Sequence, residues 1–227
     1  VPSKDPLEGR RRGSFKAWRA VEAQHQVSTL RLVDHDPLRQ ELLERILEQS
    51  KPPLPHGTEN LHYLLATPFR YPPSQHGSRF RAWPDPGVLY AGRLRQTACA
   101  EMGYWRWRFL TDSQGLTEIP ASAQTLFQLG AAGLGLRLNA DPVWMHPSNY
   151  QQTQALARQA RQANLDWIGY HSVRHQPTGY CYAILQPAAI GPRQPLEMET
   201  WYLTVTRTTV VWQRERERYV FHAEGWH

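Results

Sequence analysis

The chain has 227 residues, 41% hydrophobic and 20% charged, with nine Trp and ten Tyr, which is too apolar for a disordered polypeptide and long enough to bury a sizeable core. Lys and Arg number 26 against 20 Asp and Glu, a net charge of +6; this points to an anionic partner, yet apart from Arg10, Arg11 and Arg12 the positives are dispersed, and a DNA-binding face would show a patch or stripe. The two cysteines, Cys99 and Cys181, make no C-x-x-C and no disulfide framework, and there is no signal-peptide core or run of 18 apolar residues, so a reducing, cytoplasmic setting without a membrane is expected.

Residues 1–13 are polar and basic and read as a flexible tail. Residues 14–60 read as a helical extension: Phe15, Trp18, Ala20 and Val21 show helical spacing over 15–24, a strand-like run covers 29–33, and a second helix follows. Asp34 or Asp36 can cap that helix and Pro37 suits its first turn; Leu38, Leu42, Leu43, Ile46 and Leu47 make one apolar face before Lys51-Pro52-Pro53 stops it. The main domain, 61–227, opens with a short apolar segment, after which Pro68 predicts an extended entry into the next stretch. A buried strand at 88–91 precedes a helix over 96–110 with Thr97 as its cap. Glu101 falls in that helix's first turns, where amide dipoles favour a carboxylate, and Met102, Trp105 and Phe109 carry its packing. The run T-L-F-Q-L-G-A-A-G-L-G-L-R-L at 125–138 is too rich in glycine for a stable helix and reads as a strand with a bend. A loop at 141–148 leads to a helix over 149–163 capped by Ser148. Strands are then expected at 166–171, 179–185, 197–207 and 208–212, with an edge at 218–222. Strands and helices mix without regular alternation, which argues for an α+β fold over a doubly wound sheet.

The chemistry narrows by exclusion. His171 and His175 flank a strand end and no H-E-x-x-H exists, so no metal is expected. There is no phosphate loop, and Gly130, Gly133 and Gly135 lie in the apolar strand. There is no G-x-S-x-G, and Cys99 sits on a packed helix face. Ser172 ends an apolar strand in Y-H-S-V-R. What stands out is the stretch 67–101, which collects Arg70, Tyr71, Arg79, Arg81, Tyr90 and Glu101 among turn-forming residues. Arg70, Arg79 and, later, Arg174 lie beside aromatics and suit a pyrophosphate held by forked hydrogen bonds. Tyr71 and Tyr90 can stack on flat rings, and Glu101 can stabilise a cationic sugar centre. Together these suit a dinucleotide cleaved at a glycosidic bond; a structural network of ion pairs is the alternative.

T-P-F-R-Y, G-S-R-F, G-V-L-Y-A-G, T-A-C-A-E and G-Y-H-S-V-R resemble, in this order, the RES domain, named for its arginine, glutamate and serine, the toxin half of bacterial RES–Xre toxin–antitoxin pairs. The resemblance runs from about residue 61 to the C-terminus. It implies a single compact α+β domain similar to the ADP-ribosyltransferase toxin fold, with NAD as substrate. The family's lead arginine falls on Arg70, followed by Tyr71; its second arginine falls on Arg79, its tyrosine on Tyr90, its helix glutamate on Glu101 and its serine on Ser172. Arg70, Glu101 and Ser172 are then the implied catalytic residues, with Tyr71, Arg79 and Tyr90 completing the NAD site. The chain departs from the pattern in its short link between Arg70 and Arg79 and in Phe80-Arg81 where the family has W-N. The implied activity is cleavage of the nicotinamide glycosidic bond of NAD+, by water (glycohydrolase) or phosphate (phosphorylase); mono-ADP-ribosylation of a protein and non-catalytic binding of an acidic partner are the alternatives. The implied partner is an Xre-type helix-turn-helix antitoxin covering the site, with DNA contacted only through it and toxin–antitoxin units able to oligomerise.

Overall fold

Alternation of period two is clearest over Glu197–Thr206, where Glu199, Trp201, Leu203 and Val205 are buried and the residues between them are not, the pattern of a strand with one covered face. The computed structural model describes residues 7–23, 33–34, 36–73 and 77–226. Among these, eight strands and five α-helices form one mixed α+β domain: β1 (Arg11–Glu22), α1 (Pro37–Ser50), α2 (Tyr63–Arg70), β2 (Leu89–Gly92), α3 (Arg95–Asp112), β3 (Glu118–Arg137), α4 (Pro142–Met145), α5 (Gln151–Gln162), β4 (Trp167–His171), β5 (Tyr180–Ile184), β6 (Glu197–Thr206), β7 (Thr209–Arg214) and β8 (Glu217–His222). The strand order is β1-β2-β5-β4-β3-β6-β7-β8, with β3 and β4 parallel and the other neighbours antiparallel. Because β1 also pairs with β3, from Arg11↔Gly135 to Glu22↔Gln124, the first five strands close into a ring, and β3 carries on into the open β6-β7-β8 side. The expected bend in β3 lies at Gly133, whose φ is +145° and where a Cβ would run into the Asp166 carboxylate; only glycine suits both conditions.

The core forms on both surfaces of the ring. Ala17, Leu89, Phe127, Leu129, Trp167 and Ile184 pack on its inner side with Leu64, Leu65 and Phe69 of α2. On the outer side, α5 lays Leu156, Ala157 and Ala160 over Ile168 and Ala183. Helix α3 lays Cys99, Tyr104, Trp107 and Leu110 against Trp18, Leu126, Trp201 and Trp212.

Several local expectations are corrected. Residues 15–24 are not a helix: β1 occupies most of them, with Phe15, Ala17 and Val21 turned to the inner side and Trp18 and Ala20 to α3. Because both surfaces are covered, the strand loses its alternation and imitates helical spacing. Of the expected tail, Leu7 is buried and Arg11–Gly13 already belong to β1; residues 1–6 lie outside the described residues, as do 29–32. Helix α1 starts as expected, with Asp36 accepting from the N–H groups of Leu38 and Arg39 and Pro37 at the first position, but none of its side chains is buried. Pro68 lies inside α2. One missing donor near the end of an eight-residue helix costs little against the burial of Leu64, Leu65 and Phe69. Helix α3 begins at Arg95 with Leu94 at its cap position, so Thr97 is internal, and its packing face is Tyr104, Trp107 and Leu110, leaving Trp105 and Phe109 exposed. The loop at 141–148 contains the short α4, and α5 is led in by Tyr150, with Asn149 Oδ1 rather than Ser148 accepting from the Gln151 N–H. No helix among the described residues is long and apolar enough to cross a membrane.

Candidate active site

A single residue pair, Trp18↔Gly92, joins β1 to β2. At this narrow seam, between α3 and the segment leading into α5, lies a cavity of about 270 Å³ lined by residues of β1, β2, β4, β5 and α3.

Glu101, in the second turn of α3, supplies the cavity's carboxylate. Its Oε1 accepts from Ser172 Oγ at 2.6 Å. Ser172 is buried just past β4, and its Oγ accepts from the N–H groups of Arg174 (3.2 Å) and His175 (3.0 Å). Two donors fill the hydroxyl's lone pairs, so its one proton is directed to Glu101. The turn is closed by Gly179, whose carbonyl accepts from the Ser172 N–H at 2.9 Å; a Cβ there would strike the His175 carbonyl and the Ser172 side chain. From β5, Cys181 Sγ lies 3.8 Å from the same carboxylate oxygen. Burial, and then the neighbouring Glu101, push the Cys181 thiol well up, and burial does the same to the Tyr170 phenol. Glu101 therefore has neutral neighbours on that side.

Three guanidinium groups line the same cavity. Arg79 donates from Nη1 to the Trp144 carbonyl at 2.9 Å and stands over the Tyr150 ring at 4.9 Å. Arg174 donates from Nη2 to the Pro147 carbonyl at 2.7 Å and stands 3.4 Å over the Tyr104 ring. Arg19 donates from Nη1 to the Tyr90 carbonyl at 2.8 Å, and its Nε is buried without a partner. Burial lowers the Arg19 pKa to about 10, which still leaves it charged at neutral pH. Each arginine is anchored by a backbone carbonyl, and none is neutralised by a carboxylate among the described residues. Forked donors fixed in place but not neutralised suit a polyanion such as a pyrophosphate.

Of the residues expected at the site, Arg79, Tyr90 and Glu101 line this cavity, and Ser172 stands directly behind Glu101. The Tyr90 hydroxyl is engaged with Ser78 Oγ (2.8 Å) and the Phe80 N–H (2.9 Å), so it pins the Arg79 turn as well as walling the cavity. Arg70 and Tyr71 are not brought in. Arg70 ends α2, with Nε bound to the Pro52 carbonyl at 2.5 Å and Nη1 to Glu48 Oε1 at 2.8 Å, and Tyr71 is 39% exposed beyond it. Arg70 does not line the cavity, whereas Arg19, which was not singled out from the sequence, does. Its signal was an arginine framed by Trp18 and Ala20, visible only once 15–22 is read as a strand. His175 Nδ1 lies 3.0 Å from Thr97 Oγ1, whereas His171 packs on the Tyr180 ring; among the described residues no three His, Cys, Asp or Glu side chains converge as metal ligands.

Substituting Ser172→Ala is expected to strand the buried Arg174 N–H and the half-buried His175 N–H and to lower unfolding free energy by about 1–3 kcal/mol. Chemical denaturation would read this as an earlier midpoint, and an unchanged midpoint would contradict the hydrogen bonding described.

The RES domain family model matches residues 54–206. Among solved structures, a chain of the crystal structure of the M. tuberculosis MbcT–MbcA toxin–antitoxin complex is similar, with a TM-score of 0.47 and 11% identity over 84% of this chain and 86% of that one. No curated protein matches the sequence. The family match takes in well over half of the chain and includes Arg79, Tyr90, Glu101, Ser172 and Arg174, leaving β1 and its Arg19 outside it. The chain belongs to the RES domain family.

Proposed function

We propose that this protein cleaves the nicotinamide glycosidic bond of NAD+, as the toxin of a toxin–antitoxin pair. The observation that carries the proposal is the meeting, in one cavity, of a carboxylate held by Ser172 with three guanidinium groups that no carboxylate among the described residues neutralises. About 270 Å³ lies just under the usual range of small-molecule pockets, about 300–1,000 Å³, and suits the nicotinamide-ribose half of a dinucleotide, with the pyrophosphate on the arginines and the adenosine further out. Glu101 then faces the nicotinamide ribose. When the C–N bond breaks, its electron pair leaves with neutral nicotinamide, and the positive charge left on the ribose is stabilised by the Glu101 carboxylate. Water or phosphate adds to that carbon and gives up its proton, yielding ADP-ribose or ADP-ribose-1″-phosphate.

The proposed partner is an Xre-type helix-turn-helix antitoxin seated over the cavity mouth, where Trp105 is 54% exposed, and the proposed setting is the cytoplasm, where NAD+ is at hand. The test is NAD+ loss over time with purified protein, with and without phosphate, followed by identification of the products. Loss with nicotinamide release supports the proposal, and the second product names the acceptor. A constant NAD+ pool overturns it, and label from tagged NAD+ appearing on a protein of a cell extract would replace it with ADP-ribosyl transfer.

A further inference from the structure

Strand β5 separates two cavities. Cys181 faces the candidate active site, while its neighbours Tyr180 and Tyr182 face a second cavity of about 500 Å³. Lys16 of β1, Arg93 after β2, Arg137 at the end of β3 and His171 at the end of β4 surround this second cavity. Phe15 and Tyr182, stacked with centroids 3.7 Å apart and ring planes 7° from parallel, form its wall. Among the described residues, no Asp or Glu lines it.

Many arginines elsewhere on the surface are paired with acidic groups: Arg70, Arg95, Arg106, Arg108, Arg158 and Arg214 all lie on carboxylates. Lys16, Arg93 and Arg137 have neither an ion pair nor a side-chain hydrogen bond among the described residues. Beside them the Tyr180 hydroxyl is buried without a partner. Burial pushes its pKa up to about 12 against the opposing pull of Arg137 and Arg11, so it stays a neutral donor. Three cations converging on a concavity with no counter-charge repel one another, and an anion bound among them relieves that repulsion. A concavity of this volume falls within the range of small-molecule sites, whereas a nucleic-acid face is an open patch or stripe.

We propose that this second cavity binds a small phosphate-bearing anion, free phosphate or the phosphate of a mononucleotide, separately from the candidate active site. The proposal rests on charge and cavity shape and not on the NAD+ reading, so its test is binding and not turnover. Isothermal titration calorimetry with inorganic phosphate, and separately with AMP, in chloride buffer of constant ionic strength should show a saturable site. That site should weaken at least tenfold in Arg93→Gln/Arg137→Gln and change less than twofold in Arg79→Gln. Tighter binding of phosphate would identify the free anion, and tighter binding of AMP a nucleotide. Thermal melting checks the double variant, and Lys16→Gln replaces it if it melts early. The proposal is overturned by the absence of saturable binding, by binding lost in Arg79→Gln and kept in the double variant, or by a short single-stranded oligonucleotide that outbinds both probes through these same residues.

Discussion

Replacing Glu101 with Gln is expected to slow nicotinamide release from NAD+ by a factor of about 10²–10³, the usual cost of removing a group that stabilises charge in a transition state. Gln keeps an oxygen for the Ser172 hydroxyl, whose 2.6 Å bond to Oε1 orients this side chain, and it keeps the volume. What it removes is the negative charge facing the ribose. Glu101→Ala removes the acceptor as well, and its loss should be at least as large. The contrast separates charge from packing: single-turnover rates should fall in both variants while their thermal melting stays near that of the parent. A Glu101→Gln protein that turns over at the parental rate would mean that the carboxylate does not act on the reacting carbon.

Arg19→Ala is expected to lower kcat/KM for NAD+ by roughly 10–100-fold, the equivalent of about one hydrogen bond to a charged group. Arg70→Ala should change it by no more than about threefold. The two arginines carry the same charge but sit differently. Arg19 lines the cavity with its buried Nε unpartnered, whereas Arg70 holds the end of α1 through Glu48 and the Pro52 carbonyl. Arg19→Lys retains the charge without the fork and should fall between parent and Ala. Steady-state kinetics on the three variants decides the matter, and a larger loss in Arg70→Ala than in Arg19→Ala would reverse the assignment.

That pair of arginines also shows what could be read in advance. The strands at 166–171 and 197–207 were legible because their signals are local: β-branched and aromatic residues in short runs, with alternation wherever one face is covered. Arg79, Tyr90, Glu101 and Ser172 were singled out from short local motifs. β1 was not, because its apolar residues serve two covered surfaces at once, and three-residue spacing between Phe15 and Trp18 arises in a strand as well as in a helix. Missing the strand hid Arg19. Arg70 stood in a convincing local motif, T-P-F-R-Y, but its direction was set by the distant Pro52 and Glu48. On α3, aromatic residues surround the helix, and the choice of Trp107 over Trp105 for the core depends on β6 and β7, which lie about a hundred residues on.

The cavity is assembled from segments far apart in the sequence. Arg19 arrives with the first strand, which closes the ring only on meeting residues 124–135 of β3, and the backbone of Arg174 is held from the far end by Trp226 Nε1, 2.8 Å from its carbonyl oxygen. Such long-range pairings form late, since loop closure must come before they give any return. During synthesis α1 and α2 therefore emerge long before the strands and the Arg174 anchor that complete the pocket.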